Sequence, residues 1–256
     1  MNRKNFSFRA LELQMATVKE EELSLVLVHR SSTGVDHIDL QECRHRSIAV
    51  TNARKAFSPD VADLAVGLLI DVLRRVSAGF QYLGGKRVGI VGLGSIGAEI
   101  AKRLEPFGCA ISYNSRRKKP SVPFPWFKNV YDLAVNNDVL IVCCTLTEES
   151  RHIISNDVMT TLGKEGVIIN VGRGALIDEK ELVQLLVRGE LRGAGLDVFE
   201  NEPDIPQELF SLKNVVLSPH CAIATPECFD ALEELITGNL YAFFWSKPFQ
   251  SVVELE

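Results

Sequence analysis

Short apolar runs alternate with amphipathic segments along most of the chain after residue 86. Six runs have the length and composition of buried strands, at 88–91, 110–113, 139–144, 167–171, 194–197 and 215–217. Between them, apolar residues recur at helical spacing, at 96–104, 131–136, 156–162 and 179–188. Because strands and helices alternate, the pattern predicts an α/β fold with a parallel sheet that is covered by helices on both faces.

A longer helix is predicted immediately before this region. Ser58 has the side chain of a helix N-cap, and Pro59 suits the first helical position. Asp60 and Asp63 place negative charge in the first turn, where the helix dipole favours it. Apolar residues then recur at helical spacing as far as Val76, so the helix buries a broad face. We expect it to connect a first, smaller domain to the alternating region.

The two ends of the chain carry weaker patterns. A strand is expected at 23–28, a short helix at 35–46 and a second strand at 48–50. Near the C-terminus, the segment 225–227 begins a last helix that extends to Trp245. We expect these two ends to lie outside the large sheet.

Composition narrows the class of protein. With 256 residues, 46% hydrophobic and 24% charged, the chain resembles an ordinary globular protein that is large enough for two modest domains. A net charge of −5 argues against nucleic acid as a partner, and no apolar run has the length of a membrane span. The six cysteines include no C-x-x-C pair, so we expect reduced core thiols, no metal site and a cytosolic location.

A glycine-rich turn joins the strand at 88–91 to the helix that follows. It reads GLGSIG, the G-x-G-x-x-G pattern of Rossmann sheets in its required setting between a strand and a helix. The first glycine permits the turn, the second lets the backbone approach a pyrophosphate, and the third lets helix and strand pack closely. The helix N-terminus then favours phosphate. A glycine-rich turn in an unrelated α/β domain is the alternative. The predicted dinucleotide contacts are Gly92, Gly94, Ser95, Ile96 and Gly97.

The loop after the second strand indicates which dinucleotide is bound. An NAD site would place Asp or Glu there, about 20 residues beyond the glycine motif, to bond the ribose 2′-hydroxyl. Ser115, Arg116 and Arg117 stand there instead. A hydroxyl and two guanidinium groups suit a 2′-phosphate, so the loop predicts NADP(H) as the cofactor. A solvated basic loop is the alternative. The Pro-rich segment 120–125 that follows is predicted to be a loop and not a strand.

Functional side chains follow four later strands of the predicted sheet. Arg173 stands between two glycines after the fourth strand, and its guanidinium could hold a substrate carboxylate. Asp197 and Glu202 follow the fifth strand, and His220 follows the sixth. Ligands of such sheets bind beyond the carboxyl ends of the strands, so we expect these groups at one edge, beside the cofactor. Thr145, after the third strand, either lies against the nicotinamide ribose or only caps its strand.

These groups together have the chemistry of hydride transfer to a 2-oxo acid. The reduction leaves an alkoxide, to which an imidazolium can supply a proton. A carboxylate behind the imidazole favours its charged form and fixes its orientation. The arginine orients the substrate and polarises its carbonyl group. The remaining histidines are interpreted as structural, namely His29, His37, His45 and His152.

Seven segments, in their order and spacing, resemble the D-isomer-specific 2-hydroxyacid dehydrogenase family, and its plant-type glyoxylate/hydroxypyruvate reductases most of all. They span residues 31–250 and are the segments 33–39, 60–65, 92–97, 170–174, 195–199, 202–203 and 218–220. The resemblance implies that Arg173 and the segment Thr33-Gly34 would bind the substrate, and that Glu202 would pair with the acid/base His220. It also implies that Asp197 would lie next to both substrate and cofactor. Thr145 and Val171 would contact the cofactor.

The same resemblance divides the chain into two domains. Residues 58–228 would form the Rossmann domain that binds NADP(H). Residues 1–57, completed by the C-terminal helix at 229–256, would form the substrate domain. The family's first domain is a small flavodoxin-like sheet that is longer than the segment before Thr33, so we expect an incomplete flavodoxin-like domain here. The family is usually dimeric, but its dimer arm is shortened in this chain, at 76–82.

Two functions are compatible with this sequence. The first is NADPH-dependent reduction of small 2-oxo acids, hydroxypyruvate to D-glycerate and glyoxylate to glycolate, by a homodimer. The second is a catalytically inactive nucleotide- or partner-binding module, left by loss of part of the substrate domain. An NAD-linked dehydrogenase of the phosphoglycerate or lactate type is disfavoured by the segment 115–117. The preferred acid is left open.

Overall fold

The computed structural model describes residues 27–30, 38–53, 56–74 and 82–253, with residues 27–30 described as backbone only. The predicted substrate contacts Thr33 and Gly34 lie outside the described residues. Across the described ranges the strands form one small and one large sheet. None of the helices in these ranges is both long enough and apolar enough to cross a membrane.

The small sheet has two parallel strands, β1 (Leu27–Arg30) and β2 (Ala49–Asn52), with α1 (Leu40–His45) between them in the chain. Helix α1 begins later than the predicted residue 35, because the Asp39 side chain caps it by accepting a hydrogen bond from Glu42 N at 2.9 Å. The small core of this unit combines Cys43, Ile48 and Val50.

The C-terminal segment completes the small unit. Val253 N donates to Val50 O at 2.8 Å, and Asn52 N donates to Ser251 O at 3.2 Å. Thr51 and Val252 form the antiparallel bridge between these bonds. Strand β2 therefore has a partner on each side, one from the beginning of the described chain and one from its end.

Helix α2 (Ser58–Arg74) connects the two sheets. It begins at Ser58, as predicted, and its apolar face is buried along its whole length. It packs against α3 (Ser95–Leu104) and against strands of the large sheet. Burial on this scale makes α2 part of the main core, as the membership of its apolar residues in that cluster shows.

The large sheet has seven strands, one more than the sequence predicts. In chain order they are β3 (Arg87–Val91), β4 (Ala110–Asn114), β5 (Trp126–Phe127), β6 (Val139–Val142), β7 (Val167–Asn170), β8 (Gly193–Leu196) and β9 (Val215–Leu217). Their spatial order is β5-β4-β3-β6-β7-β8-β9, and every neighbouring pair is parallel. The order reverses between β3 and β6, which is where a doubly wound sheet opens a ligand crevice at its carboxyl edge. The predicted α/β Rossmann fold is confirmed.

Two helical layers cover this sheet. The remaining helices are α4 (Val130–Val135), α5 (Asn156–Leu162), α6 (Glu179–Arg188), α7 (Gln207–Ser211) and α8 (Pro226–Phe244). In β6, Val139 and Ile141 pack into the core on the α2–α3 side, whereas Leu140 and Val142 pack into the core on the α4–α6 side. Alternate residues face opposite layers, so a strand covered on both sides is apolar at every position.

The structure differs from the sequence expectation mainly at the edges of elements. Strands β6, β7 and β8 end one or two residues earlier than predicted, because the residues beyond them turn into loops at the carboxyl edge. A two-residue edge strand, β5, follows the Pro-rich loop, and the short helix α7 was not predicted. The elements α5 and α6 agree with the predicted bounds.

Candidate active site

The glycine turn at 92–97 leads from β3 into α3. Gly92 has a φ of 100°, and a Cβ there would lie 2.5 Å from the Cα of Cys144. A Cβ on Gly97 would lie 2.3 Å from the carbonyl oxygen of Gly92. A Cβ on Gly94, by contrast, would meet no atom within 4 Å. The first and third glycines are therefore required by the fold, and the second leaves the backbone accessible to a pyrophosphate.

The basic loop after β4 has a fixed backbone and exposed cations. Trp126 Nε1 donates to Ser115 O at 3.1 Å, and Ser115 Oγ donates to Arg117 O at 2.7 Å. The side chains of Arg116 and Arg117 are exposed. The serine hydroxyl is thus bonded within the loop, while the two guanidinium groups remain accessible to a phosphate.

One cleft opens at the carboxyl edge of the large sheet. It is bordered by α3 and by the loops that follow β6, β7, β8 and β9. The structure brings six of the predicted site residues to this cleft, namely Ile96, Thr145, Val171, Arg173, Asp197 and His220. The guanidinium and the imidazole that the sequence assigned to substrate binding and acid/base chemistry therefore line the same space.

The turn that carries Arg173 is held from both sides. The buried Asn170 side chain donates through Nδ2 to Arg173 O at 2.9 Å and accepts from Gly172 N at 3.1 Å. A Cβ on Gly174 would lie 1.8 Å from the carbonyl carbon of Phe199, so only glycine fits there. The turn after β7 and the loop after β8 are consequently in direct backbone contact.

His220 and Glu202 form the predicted pair. His220 Nδ1 lies 2.7 Å from Glu202 Oε2, and the second carboxylate oxygen accepts from Phe199 N at 2.9 Å. The His220 side chain is 47% exposed, which leaves it open to a ligand. Since Nδ1 bonds to the carboxylate, Nε2 is the ring nitrogen that remains for proton transfer.

Asp197 anchors the loop on which His220 stands. Its buried carboxylate accepts from Ser218 Oγ at 2.6 Å, from Cys221 N at 2.9 Å and from Ala222 N at 3.2 Å. His220 lies between these anchored residues with a φ of 51°, in the left-handed region that costs energy for a residue with a side chain. Asp197 lines the cleft, where a ligand contact is predicted for it, and its carboxylate also holds this loop at the wall of the cleft.

Several residues of the cleft were not identified from the sequence. Phe57, Val61 and Ile223 contribute apolar walls, and Cys143 and Cys144 lie below them. Burial raises the pKa of Cys144 to about 11, so its thiol stays protonated at neutral pH. All six cysteines are free, as expected for reduced thiols. Phe57 and Val61 lie at the beginning of α2, far in sequence from the other lining residues, so no local pattern places them in the cleft.

Other predicted residues lie beside the cleft. The loop with Ser115, Arg116 and Arg117 follows β4, one strand away from the glycine turn. This is the separation expected between the pyrophosphate and the adenosine ribose of a dinucleotide. The backbone at Gly94 is accessible, two arginines follow β4, and the cleft lies at the ends of β6 and β7. The described residues therefore fit an extended dinucleotide with a 2′-phosphate.

These features define a class of protein. The seven-stranded parallel sheet has a glycine turn at the point where its strand order reverses. An arginine and a histidine–carboxylate pair lie at its carboxyl edge. Together these features are typical of a dinucleotide-dependent oxidoreductase. The chain belongs to the D-isomer specific 2-hydroxyacid dehydrogenase family, whose NAD binding domain matches residues 73–222.

Relatives of known activity support this assignment. A glyoxylate/hydroxypyruvate reductase of Arabidopsis thaliana is 56% identical over 250 residues, which cover 91% of this chain and 77% of that protein. A hydroxyphenylpyruvate reductase of Plectranthus scutellarioides is 46% identical over 240 residues, covering 88% of this chain and 77% of that protein. The crystal structure of an NADPH-dependent glyoxylate/hydroxypyruvate reductase from Sinorhizobium meliloti, with NADP and malonate bound, superposes with a TM-score of 0.86 at 37% identity, covering 91% of this chain and 78% of that one.

Proposed function

We propose that this chain is an NADPH-dependent reductase of small 2-oxo acids, with hydroxypyruvate and glyoxylate as its substrates. The observation that carries the proposal is the single cleft that holds both Arg173 and His220 next to the glycine turn. The 56% identity to the Arabidopsis thaliana glyoxylate/hydroxypyruvate reductase supports the choice of substrates. The products would be D-glycerate and glycolate.

Arg173 would bind the substrate carboxylate and polarise the neighbouring carbonyl group. Its guanidinium suits this task because it forms paired hydrogen bonds to a carboxylate without ever losing its charge. The backbone of its turn is fixed by Asn170 and by the contact at Gly174. A substrate held by Arg173 would therefore be presented in one orientation, which is the main contribution of such a residue to the rate.

His220 would donate the proton that converts the developing alkoxide into a hydroxyl group. The contact of Nδ1 with Glu202 would orient the ring toward the cleft. Nε2 would release its proton to the substrate oxygen. Asp197 would act indirectly, by holding the loop that places the ring in the cleft.

NADPH, when bound, supplies the hydride. Gly92, Gly94 and Gly97 shape the turn that would hold its pyrophosphate. Arg116 and Arg117 would hold the 2′-phosphate, a role supported by their exposure on a fixed loop. Ser95, Ile96, Thr145 and Val171 would border the cofactor between these points. The bound NADP in the related Sinorhizobium meliloti structure supports this choice of cofactor.

The domain organisation forms part of the same proposal. Residues 58–228 would be the nucleotide-binding domain, and residues 1–57 with 229–256 the substrate domain. The bonds between β2 and residues 251–253 support the joining of these two ends in one unit. A homodimer and a cytosolic location remain predictions, which sedimentation of the purified protein and fractionation of cells would test.

The test is a comparison of wild type with His220→Gln and a matched control, His45→Gln, which changes an exposed histidine on α1. Loss of NADPH absorbance on adding hydroxypyruvate or glyoxylate measures turnover. We expect His220→Gln to lower kcat by about 10²–10⁴, the range for loss of a general acid, and His45→Gln to have no effect. Unchanged turnover in His220→Gln would remove His220 from this role. Thermal stabilisation of the wild type by NADPH without any turnover would instead favour a binding module.

A further inference from the structure

Three loops at the carboxyl edge of the sheet meet at Glu200. Its Oε1 accepts hydrogen bonds from Arg151 Nη2 and His152 Nε2, both at 2.8 Å. These two side chains come from the segment after β6, and His152 N also donates to Ala175 O at 2.9 Å in the turn after β7. The Glu200 side chain is 17% exposed, so its ion pairs are partly shielded from solvent.

The backbone of Glu200 is fixed as well. Its N–H donates to Glu179 Oε2 at 3.0 Å, at the start of α6. On the other side, a Cβ on Gly174 would lie 2.2 Å from Glu200 N, so the turn that carries Arg173 packs against this peptide. A displacement of Glu200 would consequently disturb the turn of Arg173.

Glu202 depends on the same loop. Phe199 N donates to one oxygen of Glu202 at 2.9 Å, and His220 contacts the other at 2.7 Å. Phe199 is adjacent to Glu200 in the loop after β8, and the Glu200 side chain bonds this loop to Arg151 and His152. A loop shift large enough to break the bond from Phe199 would also move Glu202 away from Nδ1 of His220.

The charges around this loop require compensation. Three carboxylates, those of Glu179, Glu200 and Glu202, lie close enough to affect one another: the pKa of Glu179 is raised first by burial and then by the charges of the other two. The guanidinium of Arg151 places positive charge beside Glu200, and His152 adds a hydrogen bond to the same oxygen. This positive charge offsets part of the repulsion that Glu179 experiences from its neighbouring carboxylates.

We propose that Glu200, together with Arg151 and His152, is a positioning residue for the reduction, because it holds Glu202 against His220 and keeps the turn of Arg173 in place. This inference rests on the proposed function. Glu200 acts through other residues and is not among those that line the cleft. His152, interpreted as structural from the sequence, belongs to this positioning group.

The kinetic test is a double-mutant cycle between Glu200→Gln and Glu202→Gln, with Glu208→Gln as a control on an exposed glutamate of α7. We expect Glu200→Gln to lower kcat by roughly 10- to 100-fold, as a misplacement of about 1 Å would, and to leave NADPH binding unchanged. In the Glu202→Gln background the same change should lower kcat by much less, since the part of the effect that passes through Glu202 is already lost. Wild-type kcat in Glu200→Gln, or an equal loss of kcat in both backgrounds, would overturn the proposal.

A crystal structure of Glu200→Gln provides a measurement that does not depend on turnover. We expect the separation of His220 Nδ1 and Glu202 Oε2, 2.7 Å here, to exceed hydrogen-bonding distance in the variant. If this contact is intact in Glu200→Gln, the positioning proposal is overturned, whether or not the wild type reduces a 2-oxo acid. Failure of the wild type to reduce any 2-oxo acid would refute only the proposed function. If Glu200→Gln fails to fold, His152→Gln, which removes the imidazole contact to Glu200, undergoes the same measurements with the same expected and contrary results.

Discussion

Replacing Asp197 with Asn should destabilise the protein and inactivate it through the loop that carries His220. The carboxylate is 1% exposed and accepts three hydrogen bonds, two on Oδ1 and one on Oδ2. An amide of the same shape has only one acceptor oxygen. With this oxygen in the place of Oδ1, the NH2 group points at the N–H of Ala222, and two donors face each other.

The size of the effect follows from these contacts. Leaving the buried N–H of Ala222 unpaired costs about 1–3 kcal/mol. The bonds from Ser218 and Cys221 lose their charged acceptor, at about 0.5–1 kcal/mol each. Relief of the buried charge partly offsets this loss, so we expect a decrease of about 3 kcal/mol in the free energy of unfolding. At this chain length that corresponds to a Tm lower by roughly 6–12 °C.

Urea unfolding and steady-state kinetics, measured on the same samples, test this expectation. Ser218→Ala is the matched control, because it removes one neutral donor and leaves both backbone bonds to the carboxylate, at a cost of about 1 kcal/mol. Without its anchors the loop should relax from the strained φ of His220, 51°, and kcat should fall. The reasoning is refuted if Asp197→Asn unfolds at the same urea concentration as the wild type. Weaker NADPH binding with wild-type stability would show that Asp197 contacts the ligand directly.

Three further outcomes are expected. Changing Arg116 and Arg117 together to Ala should weaken NADPH binding more than NADH binding, because only NADPH offers a 2′-phosphate to the exposed guanidinium groups. Fluorescence titrations measure both affinities, and equal losses of the two would contradict the assignment. Gly94→Ala should bind NADPH poorly at an unchanged Tm, since its added Cβ meets no protein atom within 4 Å. Gly174→Ala should instead lower the Tm, because its Cβ would lie 1.8 Å from a backbone carbon. The opposite pattern would refute both assignments. Burial raises the pKa of Glu179 above its ordinary 4.5, so the folded state binds this proton more tightly than the unfolded state, and the stability of the wild type falls as the pH rises above 4.5. Glu179→Gln should remove that fall. The expectation is contradicted if the urea midpoints of wild type and variant change with pH in the same way.

The sheet could be predicted largely because its strands are buried on both faces. In β6 and β7 nearly every residue is apolar, and such short runs between glycine-rich and polar segments are distinctive. The pattern overestimated their length, because Cys143, Cys144 and Val171 are equally apolar but line the cleft beyond the last paired residue. Strand β5 was missed because two residues are too few to show a period.

The candidate site divides in a similar way. Arg173 and His220 could be located because each follows a strand, and parallel strands deliver their ends to one edge. The anchoring of Glu200 could not, since its bond to His152 joins positions 48 residues apart and depends on how two loops pack. Asp197 was identified from its position after β8, but its three hydrogen bonds to the loop of His220 required the structure.

The bonds between β2 and the C-terminal segment have a consequence for how the chain folds. Ser251 Oγ donates to Asn52 O across 199 positions, with the whole seven-stranded sheet between them in the sequence. Contacts so distant along the chain form slowly, because the loop they close is long. During synthesis the edge of β2 that bonds to residues 251–253 cannot form these contacts until that segment has been made and the large sheet has brought it into reach. Shortening or extending the chain at that end would therefore act first on the small unit, far in sequence from the change, and would leave the nucleotide turn intact.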